Sequence, residues 1–363
     1  MMRPTPNRAR LVETFTTLVA IDNPSGHEAL MAQTIMALLQ DEGIASELDA
    51  KGNLLARVPG DGPALLLSSH MDSVAPAIGK RAVTRDDTIY SAGDTVLGAD
   101  DLGGLAAILE AVRTVRASGL PHRALELVFS VEEEIGLKGA KAFDWSSLTA
   151  HEGIALDMSG AVGGICVAAP AHDTLAVTIT GKAAHAGVAP EAGISAIRVA
   201  AEAIAAMPLG RIDAETTANI GTITGGAAKN IVPERVVMIG EARSRDNAKL
   251  ARQTAAMVAA FEEAAARHGA HADIIVTREY DAMRIAADAE IVQRCQAAIT
   301  QIGLTPALLE SGGGSDVSIA NMHGITAVNL CLGYEQIHST AEHIAIADLE
   351  RATALVIALV LLP

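Results

Sequence analysis

The chain has 363 residues, of which 50% are hydrophobic, 19% are charged and only 2% are aromatic. This composition favours a folded core of aliphatic side chains and argues against global disorder. The 27 basic and 43 acidic residues give a formal charge of −16, which argues against nucleic acid as a partner because phosphates attract Lys and Arg. The acidity is typical of a soluble cytoplasmic protein, and no membrane partner is expected.

The termini and the cysteines indicate neither secretion nor a thiolate metal site. The N-terminal segment lacks a continuous apolar stretch, so no signal peptide is predicted. Cys166, Cys295 and Cys331 are far apart and odd in number, which favours buried structural thiols over disulfides. The C-terminal stretch ATALVIALVLLP is apolar but too short to span a bilayer, so it predicts a buried final helix.

Helical and strand-like patterns alternate in the first half of the chain. The helical patterns are RLVETFTTLVAI, ALMAQTIMALLQDEG and GGLAAILEAVRTVRASG, and the strand-like stretches are GNLLARVPG, ALLLSS, ALELVFSV and GIALDM. Because buried strands that alternate with helices are typical of parallel pairing, they predict a layered α/β domain with a mostly parallel sheet.

Beyond residue 171 the order of the patterns becomes β-α-β-β-α-β, which is that of a ferredoxin-like split βαβ unit. Helix and strand alternation resumes after residue 283. We therefore predict an α/β catalytic domain of residues 1–171 and 284–363, interrupted by an inserted α+β domain of residues 172–283. The exposed helices and edge strand of such a unit motivate the expectation that it acts as a lid and forms a homodimer.

Acidic and imidazole side chains follow the predicted strands of the α/β domain. In open α/β sheets, ligands bind outside the carboxyl ends of the strands. Each residue alone has a structural explanation, but so many carboxylates in one crevice would repel one another without cations. Imidazoles with carboxylates suit two divalent ions, zinc first, with manganese or cobalt as alternatives. The residues at these strand ends are His70, Asp72, Asp100, Asp101, Glu132, Glu133, Glu134, Asp157 and His338.

A two-metal hydrolase needs a bridging carboxylate, terminal ligands on each side and one carboxylate that stays off the metals as general base. Asp72 lies two residues after His70 and could fix the imidazole tautomer. In an extended chain Glu132 and Glu134 would share a face and Glu133 would point away. Strand periodicity therefore leaves open which of the three glutamates contacts metal.

Several segments together resemble the signatures of co-catalytic metallopeptidases related to tripeptidase T. They are SSHMD, TVLGADD, EEEIGLKGA, LDMSG, GKAAHAG, GGGSDVS and IHSTAEHI. Carboxypeptidase G and succinyl-diaminopimelate desuccinylase are more distant members, and the resemblance covers nearly the whole chain. It implies a set of roles: His70 and Asp157 on one metal, Glu134 and His338 on the other, Asp100 as the bridge, and Glu133 as general base and acid.

The resemblance also implies roles for the predicted inserted domain and the glycine-rich segment. His185 would stabilise the oxyanion, often in the neighbouring subunit's site, and Asn230 and Arg243 would hold substrate. A surface strand charge is an equally good interpretation of Arg243. SGGGSDVS lacks the ending of a phosphate-binding loop, so Gly313 is expected to bring backbone close to the substrate.

One motif departs from the family pattern. Relatives carry Asp-x-Lys-Gly where this chain reads Asp100-Asp101-Leu102-Gly103, so a basic residue is replaced by an apolar one. Because that lysine is not a metal ligand, the metal site is expected to persist with a different local charge balance. Relatives often have a cis peptide after the bridging aspartate, which is expected here between Asp100 and Asp101.

The leading interpretation is a metal-dependent aminopeptidase that acts on short peptides. It depends on Asp157, because aspartate at that ligand position resembles the aminopeptidase branch and glutamate the carboxypeptidase and deacylase branch. The alternative is an N-acyl amino acid deacylase or carboxypeptidase with the same metals. A non-catalytic binding protein would predict a broken ligand set, and nucleotide-binding, serine hydrolase and HExxH motifs are absent from the sequence.

Overall fold

The computed structural model describes residues 4–361 of the chain. The helices are α1 (Arg8–Val19), α2 (Ala29–Asp41), α3 (Ala99–Ser118), α4 (Lys138–Ala142), α5 (Ala196–Ala206), α6 (Asn247–His268), α7 (Glu290–Gln301), α8 (Asp316–Met322) and α9 (Ile346–Leu361). The strands are β1 (Ser46–Leu48), β2 (Leu54–Val58), β3 (Asp61–His70), β4 (Ala82–Arg85), β5 (Thr88–Ser91), β6 (Arg123–Ser130), β7 (Glu152–Met158), β8 (Gly164–Ala169), β9 (Ala171–Thr180), β10 (Gly210–Arg211), β11 (Thr216–Gly225), β12 (Arg235–Ser244), β13 (His271–Tyr280), β14 (Met283–Arg284), β15 (Ala307–Glu310), β16 (Thr326–Cys331), β17 (Tyr334–Glu335) and β18 (His343–Ala345). Within residues 4–361, no helix has the length and apolar character needed to cross a membrane.

The chain divides into two compact units. The first contains the described residues up to Val167, Ile285–Glu310 and the described residues from Ser315 onward, and the second contains Ala168–Arg284 and Ser311–Gly314. The glycine-rich segment 311–314 thus groups with the second unit, whereas the predicted boundaries assigned it to the catalytic domain. Ser311 N donates to the Ala168 carbonyl oxygen at 2.8 Å, which ties this segment to the start of the second unit.

The first unit is built around a mostly parallel sheet with the strand order β1-β2-β6-β3-β7-β16-β8 and β15 beside β8. The four central strands β6, β3, β7 and β16 pair in parallel, and the outer pairs β1–β2, β2–β6 and β16–β8 are antiparallel. The last seven residues of β3 are all buried, as expected for a parallel strand covered on both faces. This confirms the layered α/β prediction.

Helices α3 and α9 show why the central sheet is so well covered. Sixteen of the twenty residues of α3 are buried, from Ala99 to Val115, because the helix packs between other elements rather than at the surface. The C-terminal helix α9 is buried along most of its length. The predicted buried final helix is therefore confirmed as far as Leu361, and Leu362 and Pro363 lie outside the described residues. The three cysteines form no disulfide and are buried, also as predicted.

The second unit has the predicted ferredoxin-like topology. Its sheet has the order β10-β11-β12-β9-β13, with every pair antiparallel. Side chains of β9 alternate between buried and half-buried, and Leu175, Val177 and Ile179 form a core with Val199 of α5 and Phe261 of α6. Both helices thus cover one face of the sheet, as a split βαβ unit requires.

A small third sheet was not predicted. Its order is β17-β18-β5-β4, and each strand has only two to four residues. Such short strands carry too few alternations to be recognised from periodicity. The sheet matters for the site because the loop between the antiparallel strands β17 and β18 carries His338.

Candidate metal centre and active site

The predicted site residues of the first unit come from the carboxyl side of the central parallel strands. His70 is the last residue of β3, Glu133 and Glu134 follow β6, and Asp157 is the penultimate residue of β7. Asp100 lies at the start of α3, where its backbone and that of Asp101 are non-helical. Because parallel strands end at one edge of the sheet, these side chains meet in one place.

Asp100 lies at the centre of the cluster. Its Oδ1 is 3.3 Å from His70 Nε2, and its Oδ2 is 3.5 Å from His338 Nε2. His70 Nε2 is also 4.0 Å from Asp157 Oδ1, and His338 Nε2 is 3.1 Å from Glu134 Oε2. The five side chains therefore form two groups, one on each side of the Asp100 carboxylate. Their service as metal ligands stays a prediction.

Asp72 contacts both the segment that carries His70 and the segment that carries Glu133 and Glu134. Its Oδ1 accepts from Glu133 N at 3.0 Å and lies 3.4 Å from His70 Nδ1, while Oδ2 accepts from Glu134 N at 3.2 Å and Ser25 Oγ at 2.6 Å. Burial opposes ionisation, but the contacts with His70 outweigh it and lower the pKa of Asp72. His70 Nδ1 also lies 3.1 Å from the Asp72 carbonyl oxygen. The backbone and the charged carboxylate of Asp72 therefore together hold the His70 ring relative to the glutamate backbone.

The three consecutive glutamates have different surroundings. Glu132 has a φ of +52°, so the chain is not extended here and face alternation does not apply. Its carboxylate turns to Lys51 and lies 3.4 Å from Lys138 Nζ. Glu134 faces His338. The Glu133 carboxylate is buried and makes no hydrogen bond or ion pair with any residue of the described range.

The pKa shifts of the buried carboxylates indicate whether these residues suit a bound cation. Burial, and then the other carboxylates, raise the pKa of Asp157 well above its ordinary value. Burial likewise raises the pKa of Glu133 well above its ordinary value, and that of Asp101 to about 7. The pKa of Asp100 is lowered instead, as is that of Asp72, since the hydrogen bonds of Asp100 with His338 and His70 outweigh burial. This crowding of acids is relieved when cations are present.

Two further features of the site are those expected of a cation-binding site. Ligand atoms of His70, Asp100 and Glu134 all lie within 4.8 Å of one another. Oε1 of Glu134 is buried without a hydrogen-bond partner in the described part of the chain. A buried carboxylate oxygen without a partner is costly, and coordination of a divalent ion would satisfy it.

Two residues of the site were missed by the sequence analysis. Asp316 is buried and accepts a hydrogen bond from Ser130 Oγ, and burial raises its pKa to about 6. Tyr334 is buried and its hydroxyl donates to Asp100 Oδ1 at 3.4 Å. Asp316 lies in the quoted segment GGGSDVS, and Tyr334 lies three residues before the quoted segment IHSTAEHI. Only their three-dimensional contacts distinguish them from their neighbours.

The departure at Leu102 leaves the local backbone as expected. The peptide bond between Asp100 and Asp101 is cis, which confirms that prediction. Leu102 is completely buried, so an apolar side chain is accommodated where relatives carry lysine.

The predicted substrate-binding residues and His185 all belong to the second unit and form two pairs. His185 and Asn230 are exposed and lie on adjacent loops, with Ala186 N donating to the Asn230 carbonyl oxygen at 2.9 Å. A Cβ on Gly313 would lie 3.7 Å from Arg243 Nη1, so these two are neighbours as well. Arg243 also pairs with Glu241 at 2.9 Å.

Two imidazoles, buried His70 and half-exposed His338, lie with carboxylates in two groups about one aspartate. Such an arrangement on the carboxyl rim of a parallel sheet is typical of metal-dependent hydrolases. The sequence profile of the Peptidase family M20/M25/M40 matches residues 66–362. The chain therefore belongs to this family and is a metallopeptidase, which confirms the resemblance stated above.

Individual relatives agree over almost the full length. The chain is 42% identical to the uncharacterized protein YqjE of Bacillus subtilis, with 98% of each chain covered. It is 43% identical to the crystal structure of aminopeptidase PepT from Bacillus cereus, with a TM-score of 0.89 and 98% of each chain covered. A tripeptidase structure from Staphylococcus aureus is 38% identical, with a TM-score of 0.94 and the same coverage.

The contacts of Asp72 predict that it is needed for metal binding although it is not a predicted ligand. In Asp72→Asn an amide group replaces one carboxylate oxygen and faces a backbone N–H, so His70 and the glutamates lose their alignment. We expect metal affinity, measured by chelator competition, to fall about 10–100-fold while circular dichroism is unchanged. Ser25→Ala, which removes one donor to the same carboxylate, should have a smaller effect. Unaltered affinity in Asp72→Asn would contradict this role.

Proposed function

We propose that the protein is an aminopeptidase that hydrolyses short peptides with two divalent metal ions and Glu133 as general base. The observation that carries this proposal is the cluster of side chains around Asp100. The buried and unpartnered carboxylate of Glu133 directly precedes Glu134, a member of that cluster. The descriptions of the Bacillus cereus and Staphylococcus aureus relatives as an aminopeptidase and a tripeptidase support this substrate class.

Five side chains would hold the metals. His70 and Asp157 would bind one ion, Glu134 and His338 the other, and Asp100 would contact both. Bound divalent ions supply Lewis-acid polarisation of the scissile carbonyl. Nitrogen and carboxylate ligands suit zinc, with manganese and cobalt as alternatives.

Glu133 would move the protons. Its carboxylate takes a proton from the attacking water and later gives it to the leaving amine. Asp72 keeps the Glu133 backbone in place through the hydrogen bond to Glu133 N. Glu132 would support the turn through its lysine partners.

The second unit would bind the substrate. His185 would donate to the developing oxyanion, and Asn230 and the backbone at Gly313 would align the peptide. Arg243 would bind the substrate carboxylate through its fork of donors. This recognition also suits the alternative function, hydrolysis of N-acyl amino acids, because these substrates carry the same carboxylate. The aspartate at position 157 favours the aminopeptidase.

The general-base proposal predicts a sharp contrast between adjacent glutamates. Glu133→Gln removes the proton acceptor and should lower kcat about 10²–10⁴-fold, while KM and metal content stay close to those of the wild type. Glu132→Gln should retain activity, since ion pairs near the surface contribute little. Steady-state kinetics with metal analysis of both variants would measure this. An active Glu133→Gln enzyme would show that the assignment is wrong.

Metal dependence and substrate class can be tested together. Removal of metal with a chelator should abolish release of the N-terminal residue from a tripeptide, and added zinc, manganese or cobalt should restore it. The rescued enzyme should hydrolyse tripeptides in preference to N-acyl amino acids, measured as kcat/KM. The reverse preference would favour the deacylase, and full activity after complete metal removal would contradict both functions.

We further propose a homodimer formed through the second unit, in which exposed His185 serves the partner's site. Light scattering should give the mass of two chains. Mixing Glu133→Gln with His185→Ala, each nearly inactive alone, should restore activity, because a mixed dimer contains one site with both groups. A monomer, or a mixture without recovered activity, would contradict this arrangement.

A further inference from the structure

Glu342 is a buried carboxylate that the proposed chemistry does not use. It is 1% exposed, and its two oxygens accept from two backbone amides, Gly98 N at 2.7 Å and Asp100 N at 3.0 Å. These amides belong to the turn that presents the Asp100 side chain to His70 and His338. A carboxylate held by two amides makes strong, charge-assisted hydrogen bonds. Glu342 therefore sets the position of the central aspartate.

Glu342 lies in the same loop as His338. This loop joins β17 to β18, and Glu342 comes immediately before β18. This loop is far from the Asp100 turn in sequence, since Asp100 and Glu342 are 242 residues apart. The Glu342 carboxylate thus joins two segments that carry predicted ligands from opposite ends of the chain.

A buried lysine lies on another side of the Asp100 turn. Lys80 is 2% exposed, and its Nζ donates to Asn23 Oδ1 and, at 3.2 Å, to Ser73 Oγ. Asn23 in turn donates to the Met71 carbonyl oxygen at 2.7 Å. Lys80 is therefore attached to the segment that follows His70.

Gly98 is enclosed by this lysine. A Cβ at Gly98 would lie 3.0 Å from Lys80 Nζ, 2.8 Å from Ser73 Oγ and 3.3 Å from Leu102 Cδ1. The Lys80 ammonium and the Leu102 side chain therefore both approach Gly98. Burial lowers the pKa of Lys80 to about 8, and the charges of Glu342 and Asp22 act against this fall. The Glu342 carboxylate accepts from the amide of the same Gly98 that the Lys80 ammonium approaches. A buried carboxylate near an ammonium costs less than an isolated one, so the two charges stabilise each other around the turn.

We propose that Glu342 is a positioning residue for the metal centre, with Lys80 as its counter-charge. Glu342 sets the distance between Asp100 and His338, and Lys80 links the same turn to the His70 segment. Together they determine how tightly the metal pair is bound. This inference rests on the proposed metal-dependent function, but its test requires no substrate.

The test measures metal affinity by competition with a fluorescent chelator, and the stability of the metal-free protein by urea unfolding. Glu342→Gln keeps the shape but turns an amide group toward a backbone N–H. We expect zinc affinity to fall about 10–100-fold, with a smaller fall for Lys80→Met. In both variants kcat should fall more than KM changes, because substrate contacts are untouched.

Glu110 provides a matched control. It is also a buried carboxylate, 1% exposed, and it also accepts from a backbone amide, Asn7 N at 2.8 Å. It lies on the same helix as Asp100 but pairs with Arg10 rather than with the Asp100 turn. Glu110→Gln should lower the urea midpoint and leave zinc affinity unchanged. A purely structural role for Glu342 would give this same pattern.

Equal zinc affinity in the wild type, Glu342→Gln and Lys80→Met would overturn the inference, whatever happens to stability. If Glu342→Gln does not fold, Lys80→Met decides the question by the same measurement. A wild-type protein that binds zinc tightly but cleaves no tripeptide would contradict the proposed substrate, and weaker binding by the variants would still support the role of Glu342. The two proposals therefore fail separately.

Discussion

Mutual repulsion among buried carboxylates is the constraint on which the rest of the site depends. Asp100, Asp157 and Glu133 lie in one region from which water is largely excluded, and burial with like charge raises the pKa of the latter two. Such a region is stable only with protons or cations between the acids. A parallel sheet creates this problem by ending its strands at one edge, and it is also what allows two cations to be held there.

Two buried carboxylates that are not predicted metal ligands hold the backbone of the site in place. Asp72 holds the glutamate backbone, and Glu342 holds the Asp100 turn, each through two backbone amides. Both are charged groups that accept from the backbone rather than from mobile side chains. The positions of the predicted ligands are therefore set by the main chain, so side chains from distant parts of the sequence are aligned without an ion.

The two larger sheets and the clustering of acids could be predicted from the sequence, because they follow from strand and helix periodicity and from the geometry of parallel strands. The three glutamates could not be assigned from periodicity, since the left-handed backbone at Glu132 breaks the alternation. The short strands around His338 were also missed, as were Asp316, Tyr334 and Glu342, whose importance depends on contacts across the fold. Segment 311–314 was assigned by chain order, but its hydrogen bond to Ala168 groups it with the second unit.

The effect of Leu102, which departs from the family motif, depends on the residues that surround it in the structure. In sequence, the loss of a lysine beside Asp100 suggests a missing charge. In the structure, the Lys80 ammonium and the Leu102 side chain approach the same glycine from different segments, so a positive charge is present near the turn although it comes from elsewhere in the chain. What the turn requires is a counter-charge for the buried Glu342 carboxylate, and electrostatic attraction depends on distance rather than on sequence position. On the proposed role of Lys80, the motif can vary at position 102 because the counter-charge for Glu342 comes from another segment of the chain.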